Sequence, residues 1–408
     1  MYNTKQIISY SLLAFSLSFI GLPIYIYLPN FYADNFDISL KTIAIIILFT
    51  RVFDAVQDPI IGVFSDRFAS FRKKLIIYLV PLLGLSFLML FYPLTDVNIS
   101  YWLAFFMLLT YSLFSIIYIN YQAYAVNLTD SYHERTRIIT IRETVFIIGI
   151  IFASTIPAIL NNFYDQTKSF LIIGLIYFII TNVFGVIFYK YAPKNTITLS
   201  TNFDFKGVFK SKLLNRFFII FTFNAIAASI PAVLIMFFVE HVLAANDYLS
   251  IFLLIYFFGL FLGVCFWSQL SKFLDDKILT FLISMSFTAF IFVFCYFLGN
   301  GNVILYSIIC LLAGIGFGGD LCLGYSIITD IIWQEKLKKN ESSVFGITNF
   351  ILKFSLALTS ASLIFIIGDL EGNEELKKSF IAFSYAILPV IFRLFAIYFL
   401  FKYFKKTY

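Results

Sequence analysis

"RVFDAVQDPIIGVFSDR", residues Arg51 to Arg67, sets three aspartates and two arginines into a stretch that is otherwise largely apolar. The rest of the chain makes this unusual. Of its 408 residues 61% are apolar, 20% aromatic and only 13% charged, a composition too oily for a water-soluble globule and suited to a bilayer as solvent. At about 100° per residue, Arg51, Asp54, Asp58, Gly62 and Asp66 share one face of a helix, being spaced by three or four. That face cannot look at lipid, where a lone carboxylate is costly or simply protonated. Two acids one turn apart imply a cavity, a bound cation or paired basic groups. The alternative is an ion-pair network that only fastens helices together.

Working outward, apolar runs of about 20 residues, enough to cross roughly 30 Å of hydrocarbon, begin near residues 6, 38, 74, 99, 137, 168, 213, 247, 277, 302, 342 and 377. They are continuous rather than alternating, which predicts helices and not barrel strands. The fold class expected is an all-α membrane protein of twelve transmembrane helices in two six-helix halves. The first run follows a lone Lys5 without a small-residue cleavage site and reads as a retained span. The longest internal polar stretch, "APKNTITLSTNFDFKGVFKSK", divides six runs from six. Residues 1–191 are thus expected to form one six-helix bundle, 192–212 a cytoplasmic linker and 213–408 a second bundle. Pro23 and Pro231 sit at similar depths in the first and seventh runs, a hint of repeats around a central cavity.

Basic residues set the orientation. With the N-terminus inside, 22 of the 29 Lys and Arg residues fall on the cytoplasmic side and four, Lys41, Lys168, Lys377 and Lys378, outside. Arg51, Lys353 and Arg393 are left within spans. This bias predicts a multi-pass protein of a bacterial inner membrane with both termini cytoplasmic. It also accounts for the net charge of +6 without a nucleic-acid partner. Cys265, Cys295, Cys310 and Cys322 lie in apolar runs with no metal or disulfide spacing. His133 and His241 stand apart from any nucleophile or metal pattern. No enzyme, no catalytic residue and no cofactor are expected.

Counting about 1.5 Å per residue from the cytoplasmic helix ends, Asp58 and Asn120 lie about 12 Å deep, Asp54 about 18 Å, Arg142 about 9 Å, Lys353 about 17 Å and Asp320 about 20 Å. These polar groups are expected to converge on the inner half of the membrane, where ionisable residues are functional candidates by default.

The opening stretch resembles the second-helix signature of the glycoside/pentoside/hexuronide:cation symporters, the melibiose permease-like branch of the major facilitator superfamily. "SYSLLAFSLSF" (Ser9 to Phe19), "IRET" at Arg142 and "SIITDIIWQEKLKKNESSVFGITNFILKFSLALTSA" (Ser326 to Ala361) extend the likeness over most of the chain. The resemblance implies a symporter working by alternating access as a monomer on a small-molecule substrate, with the bilayer as its other partner. It implies Asp54 and Asp58 as the cation site, Lys353 facing those acids, and Arg51 and Arg142 lining the cavity; cation binding is expected to alter the pairing of the acids with their charge partners Arg51 and Lys353. Gly62, Asp66 and Arg67 match the gating element, and Arg72, Lys73 and Lys74 are expected to meet loops and lipid head groups.

The departures bear on substrate and ion. Ser18 and Asn120 stand where the family's sugar-gripping carboxylates are, Gln57 where a second-helix side chain helps hold sodium, and Ile117 where the fourth helix supplies a hydroxyl. The coupling ion is therefore H+ or Na+, with Asp54 and Asp58 metal ligands only in the second case. Melibiose-like sugars are expected to bind poorly, and a smaller polar or anionic solute such as a hexuronide or other organic anion stands beside neutral sugars as the expected substrate. Ser18, Asn120, Tyr124, Arg142 and Asp320 are the candidate substrate contacts, with Tyr25, Tyr121 and Trp333 as further aromatic walls. Asp320 follows "GIGFGG" and would replace the missing acids; its alternative is a structural contact with Lys353 or a hydroxyl. A lipid or lysophospholipid transporter on the same fold, or a non-transporting membrane sensor, is the other reading.

Overall fold

A computed structural model describes residues 3–36, 38–94, 97–193, 205–370 and 372–404. Among them lie twelve long helices and no strands. Helix α1 runs from Thr4–Phe19 through a π-helical turn, Pro23–Tyr27, into Leu28–Phe36. It is followed by α2 (Leu40–Arg67), α3 (Arg72–Leu90), α4 (Ile99–Val126), α5 (Tyr132–Leu160) and α6 (Gln166–Tyr191). Then come α7 (Lys212–Phe237, extended by the π turn Phe238–Val242), α8 (Leu249–Phe273) and α9 (Lys277–Val293). The last three are α10 (Val303–Gly319, the π turn Asp320–Gly324, then Tyr325–Gln334), α11 (Glu341–Asp369) and α12 (Glu374–Phe404). Of the expected linker, residues 194–204 lie outside the described residues, as do Lys405 and Lys406 of the basic count. Eleven helices are long and apolar enough to cross a membrane by composition alone. Helix α2 has the length, 28 residues, but carries too many charges to qualify.

The helix starts follow from local chemistry. Ser39, Asn98, Asp165, Ser211 and Asp276 each turn a side-chain oxygen onto an amide of the first turn of α2, α4, α6, α7 and α9, satisfying donors that no carbonyl inside the helix can reach. Along α2 the reading of one polar face holds: Asp54, Asp58, Gly62 and Asp66 are buried, while Val52, Phe53, Val56, Ile60 and Phe64 are exposed. An apolar exposed side is what a bilayer covers.

The chain forms two compact units. The first comprises Met1–Val208 together with Leu337–Ile347, so the opening turns of α11 belong with the first six helices. The second comprises Phe209–Lys336 and Thr348–Tyr408. Within the first, α1 packs on α5 and α6, α2 on α4, and α3 on α4 and α6. Within the second, α7 packs on α12, α8 on α10, and α9 on α10 and α12. Four pairings of the first unit thus recur six helices later, an internal repeat seen in packing rather than in sequence.

Each unit has its own means of closing helices together. In the first, the Tyr10 hydroxyl donates to Tyr121 O at 3.1 Å and the Tyr121 hydroxyl to Tyr10 O at 3.0 Å, with the rings stacked 4.5 Å apart. This satisfies both buried phenols and fixes α1 against α4. In the second, α8 and α10 meet backbone to backbone. A Cβ at Gly259 or Gly263 would collide with the carbonyls of Leu311 and Ile315, and one at Gly314 or Gly318 with the backbone of Tyr256 and Val264. Small residues allow this approach where lipid gives no hydrophobic drive between helices.

Candidate functional site

The polar face of α2 is held by α4. Asp54, 3% exposed, accepts hydrogen bonds at Oδ1 from Gln57 Nε2 at 3.2 Å and Ser115 Oγ at 3.1 Å. Gln57 Oε1 in turn accepts from Ser112 Oγ at 2.9 Å. The hydroxyl expected from the fourth helix is absent at Ile117, but Ser115 and Ser112 of the same helix provide two. One carboxylate, one amide and two hydroxyls therefore share a cluster of hard oxygen atoms, a donor set compatible with a proton or a sodium ion. Asp58, one turn along, has 0% exposure, and its backbone is approached so closely by α11 that a Cβ at Gly346 would lie 2.5 Å from Asp58 O.

Arg51 is not an ion-pair partner of these acids. Its guanidinium lies over the rings of Tyr25 and Tyr111, at 5.5 and 5.1 Å from their centres, and among the described residues no carboxylate is within ion-pair distance of it. The aromatic faces accommodate the cation in place of a carboxylate. Lys353 lies half-buried on the part of α11 that belongs to the second unit.

At the other end of α2, the residues expected to gate form one network with the first turns of α11. Asp66 accepts from the backbone amides of Ser342 and Ser343, both at 2.8 Å, from Ser343 Oγ at 2.6 Å and from Arg72 Nη2 at 3.0 Å. It thereby caps α11 and opposes the positive end of its dipole. Arg72 Nη1 also pairs with Glu341, Arg72 Nη2 donates to Ser342 Oγ at 2.9 Å, and Asn127 Nδ2 donates to Glu341. Gly62 makes the approach possible, since a Cβ there would sit 2.5 Å from Ser342 O. Arg67 is exposed and lies along Phe64. The expectation that Arg72 meets lipid head groups is corrected: it is 1% exposed, because two buried carboxylates need it. Lys73 donates to Ala192 O at 3.1 Å, and Lys74 alone of the three is exposed.

The expected substrate contacts are spread over different local structures. Ser18 donates to Phe15 O at 2.9 Å and faces Gly149, where α1 and α5 touch. Asn120 Nδ2 donates to Ser65 Oγ and to Ile116 O, both at 2.8 Å, which ties α4 to α2. Tyr124 stacks with Tyr10, meets Phe188 edge-on and donates to Pro193 O. Arg142 pairs with Glu143 through Nε at 2.9 Å and Nη2 at 2.5 Å, both side chains 2% exposed. Asp320 pairs with Arg393 rather than with Lys353 or a hydroxyl.

Sequence reasoning missed Ser112, Ser115, Glu143, Glu341, Ser342, Ser343 and the role of Arg393. A signal existed for some of them, since "NESS" at 340–343 is a helix-start pattern.

Among the described residues, twelve long helices with ionisable side chains buried along them have the architecture of a multi-pass membrane protein. The chain belongs to the MFS/sugar transport protein family, whose model matches residues 9–404. It is 24% identical over 359 residues to the uncharacterized symporter YjmB of Bacillus subtilis (strain 168), covering 82% of this chain and 76% of that one. Among solved structures it resembles a bacterial homologue of the iron transporter ferroportin in an outward-facing state, with a TM-score of 0.76 at 12% identity over 98% of this chain and 99% of the other. It also resembles the E. coli fucose:proton symporter FucP, N162A variant, with a TM-score of 0.69 at 13% identity over 96% and 98%. At such identities these structures share the fold and nothing finer. The chain is a transporter of the major facilitator type and not an enzyme.

Proposed function

We propose that the protein couples a gradient of protons or sodium ions to the movement of a small polar solute, a sugar or sugar acid, by alternating access. The observation that carries this reading is the acid pair: Asp54 and Asp58, one turn apart, are buried on a bilayer-length helix, and Asp54 is wired to Gln57 and Ser115. Charge at such depth is retained where it serves an ion pathway. A cation bound there drives a change of facing only if it binds the two states with different free energies. The symporter relative supports the same direction. Purified protein in vesicles, given an inward proton or sodium gradient, is expected to accumulate a member of a sugar and sugar-acid panel above equilibrium with one of the two ions. Gradient-independent lipid movement with no solute accumulation would replace this reading with the lipid-transporter alternative.

The orientation proposed is that of a bacterial inner-membrane protein with both termini and the 192–212 linker in the cytoplasm, motivated by the 22 to four distribution of basic residues. A reporter that fluoresces only in the cytoplasm, fused after Tyr408, is expected to light up. A dark fusion expressed at the same level reverses the assignment.

A further inference from the structure

The second unit holds a charge pair of its own, its arginine buried and its aspartate partly so. Arg393 on α12 is 2% exposed, and its Nη1 and Nη2 donate to Oδ1 and Oδ2 of Asp320 at 3.1 and 2.8 Å. The guanidinium carbon lies 4.7 Å from the centre of the Phe317 ring. This is the two-pronged grip with which a guanidinium holds any carboxylate, with an aromatic face behind it.

Stability does not account for the pair, since a buried ion pair is commonly no better than apolar side chains of the same volume. Its place in the helix is also special. Asp320 opens a π turn, a local widening frequent at functional positions.

The titratable and charged groups around Asp320 are few. Arg393 faces it from α12. From α8 comes Tyr256, whose phenol feels both charges of the pair, and α10 itself adds Cys310 beside Tyr256. From α9 come two hydroxyls, Ser284 against Gly319 and Thr288 against Gly316. From α7, Phe221 meets Tyr325 and Gly324. One turn further on the same face of α7 is Asn224, whose buried carboxamide oxygen has no hydrogen-bond partner among the described residues. Among the described residues no second cation pairs with Asp320 and no second anion with Arg393.

We propose that Arg393 is the binding group for the carboxylate of a small organic anion, and that Asp320 occupies it in the absence of ligand and releases it on taking up a proton. This rests on the reading of the protein as a transporter of small polar solutes and names the charged group such a solute carries. The exchange balances: a proton from solvent joins an Asp320 oxygen, the two N–H bonds to Asp320 open, and the incoming carboxylate accepts them. Site charge is the same before and after. A proton alone would strand the Arg393 charge in a dry place, and an anion alone would meet the Asp320 carboxylate. Each therefore favours the binding of the other, and a monoanion enters with one proton.

The test uses the purified full-length protein with glucuronate as probe and glucose as its uncharged counterpart, titrated calorimetrically in two buffers of different protonation enthalpy. The parent is expected to take up about one proton per glucuronate bound. Its affinity should fall about tenfold per pH unit over the range in which that one proton is taken up on binding. Asp320→Asn should bind glucuronate with one proton fewer taken up and with an affinity that no longer falls with pH. The double variant Asp320→Asn with Arg393→Gln, which leaves no orphan charge and should elute as the parent does, is expected to lose glucuronate binding at least about 100-fold. Undiminished proton uptake in Asp320→Asn, or parent-like glucuronate affinity in the double variant, would overturn the proposal. A parent that binds glucose and not glucuronate also overturns it, while leaving the transporter reading in place. A parent that binds neither, and accumulates neither in vesicles, fails the proposed function itself.

Discussion

Asp54→Asn and Asp58→Asn proteins are expected to carry an uncharged solute only down its gradient, with accumulation falling to equal concentrations on the two sides. An amide keeps the size of the carboxylate, and at residue 54 the donors Gln57 Nε2 and Ser115 Oγ still find an oxygen. What is lost is the ability to gain and lose charge as a proton or sodium ion comes and goes. Folding should survive, because replacing a buried carboxylate by its amide removes a desolvation cost along with the charge. Exchange of labelled for unlabelled solute across the membrane should persist, since it needs binding and a change of facing but no net cation movement. The measurement is gradient-driven uptake beside exchange in the same vesicles. Parent-like accumulation by both variants would show that the pair merely fastens α2 in place.

The second large effect is expected from Arg72→Ala. This guanidinium sits between Asp66 and Glu341, and its loss leaves two buried carboxylates facing each other with only Ser342, Ser343 and Asn127 as donors. Removing one member of a buried charge network costs roughly 3–5 kcal/mol. Glu341→Gln, which keeps Arg72 on Asp66, should cost markedly less. Asp66→Ala should do comparable damage by a different route, uncapping the first amides of α11 and leaving Arg72 with Glu341 alone. Thermal unfolding in detergent, followed by uptake rates, orders the three. If Arg72→Ala melts with the parent and transports at its rate, the network is ornamental to both stability and gating.

How far the sequence carried these conclusions depends on distance along the chain. The twelve helices are legible because lipid leaves an apolar run no other option, and the polar face of α2 is legible because a helix repeats every 3.6 residues. Partners across helices are another matter. Arg393 and Asp320 are each conspicuous as charges in oily runs, yet nothing in either run records that 73 residues apart they close on each other. The docking of Ser342 and Ser343 on Asp66 spans 276 and 277 residues and leaves only a helix-start pattern behind. Glu143 escaped for a local reason. Neighbouring residues point about 100° apart on a helix, so a wheel separates Arg142 from Glu143, whereas the long guanidinium arm bends back and reaches it. Arg51 lies one turn from Asp54 in the sequence, yet the rings of Tyr25 and Tyr111 are what its guanidinium meets.

The π turns at Pro23–Tyr27, Phe238–Val242 and Asp320–Gly324 each take one more residue into a turn than an α-helix does. One added residue advances the helical phase by about 100°. Residues 28–36 of α1 and 325–334 of α10 are thus out of phase with the segments that precede them, and no single helical wheel describes either rod. A mutational scan of α10 plotted on one wheel would scatter its sensitive residues around the circumference. Plotted on two wheels that meet at Asp320, the same scan should gather them into two separate arcs.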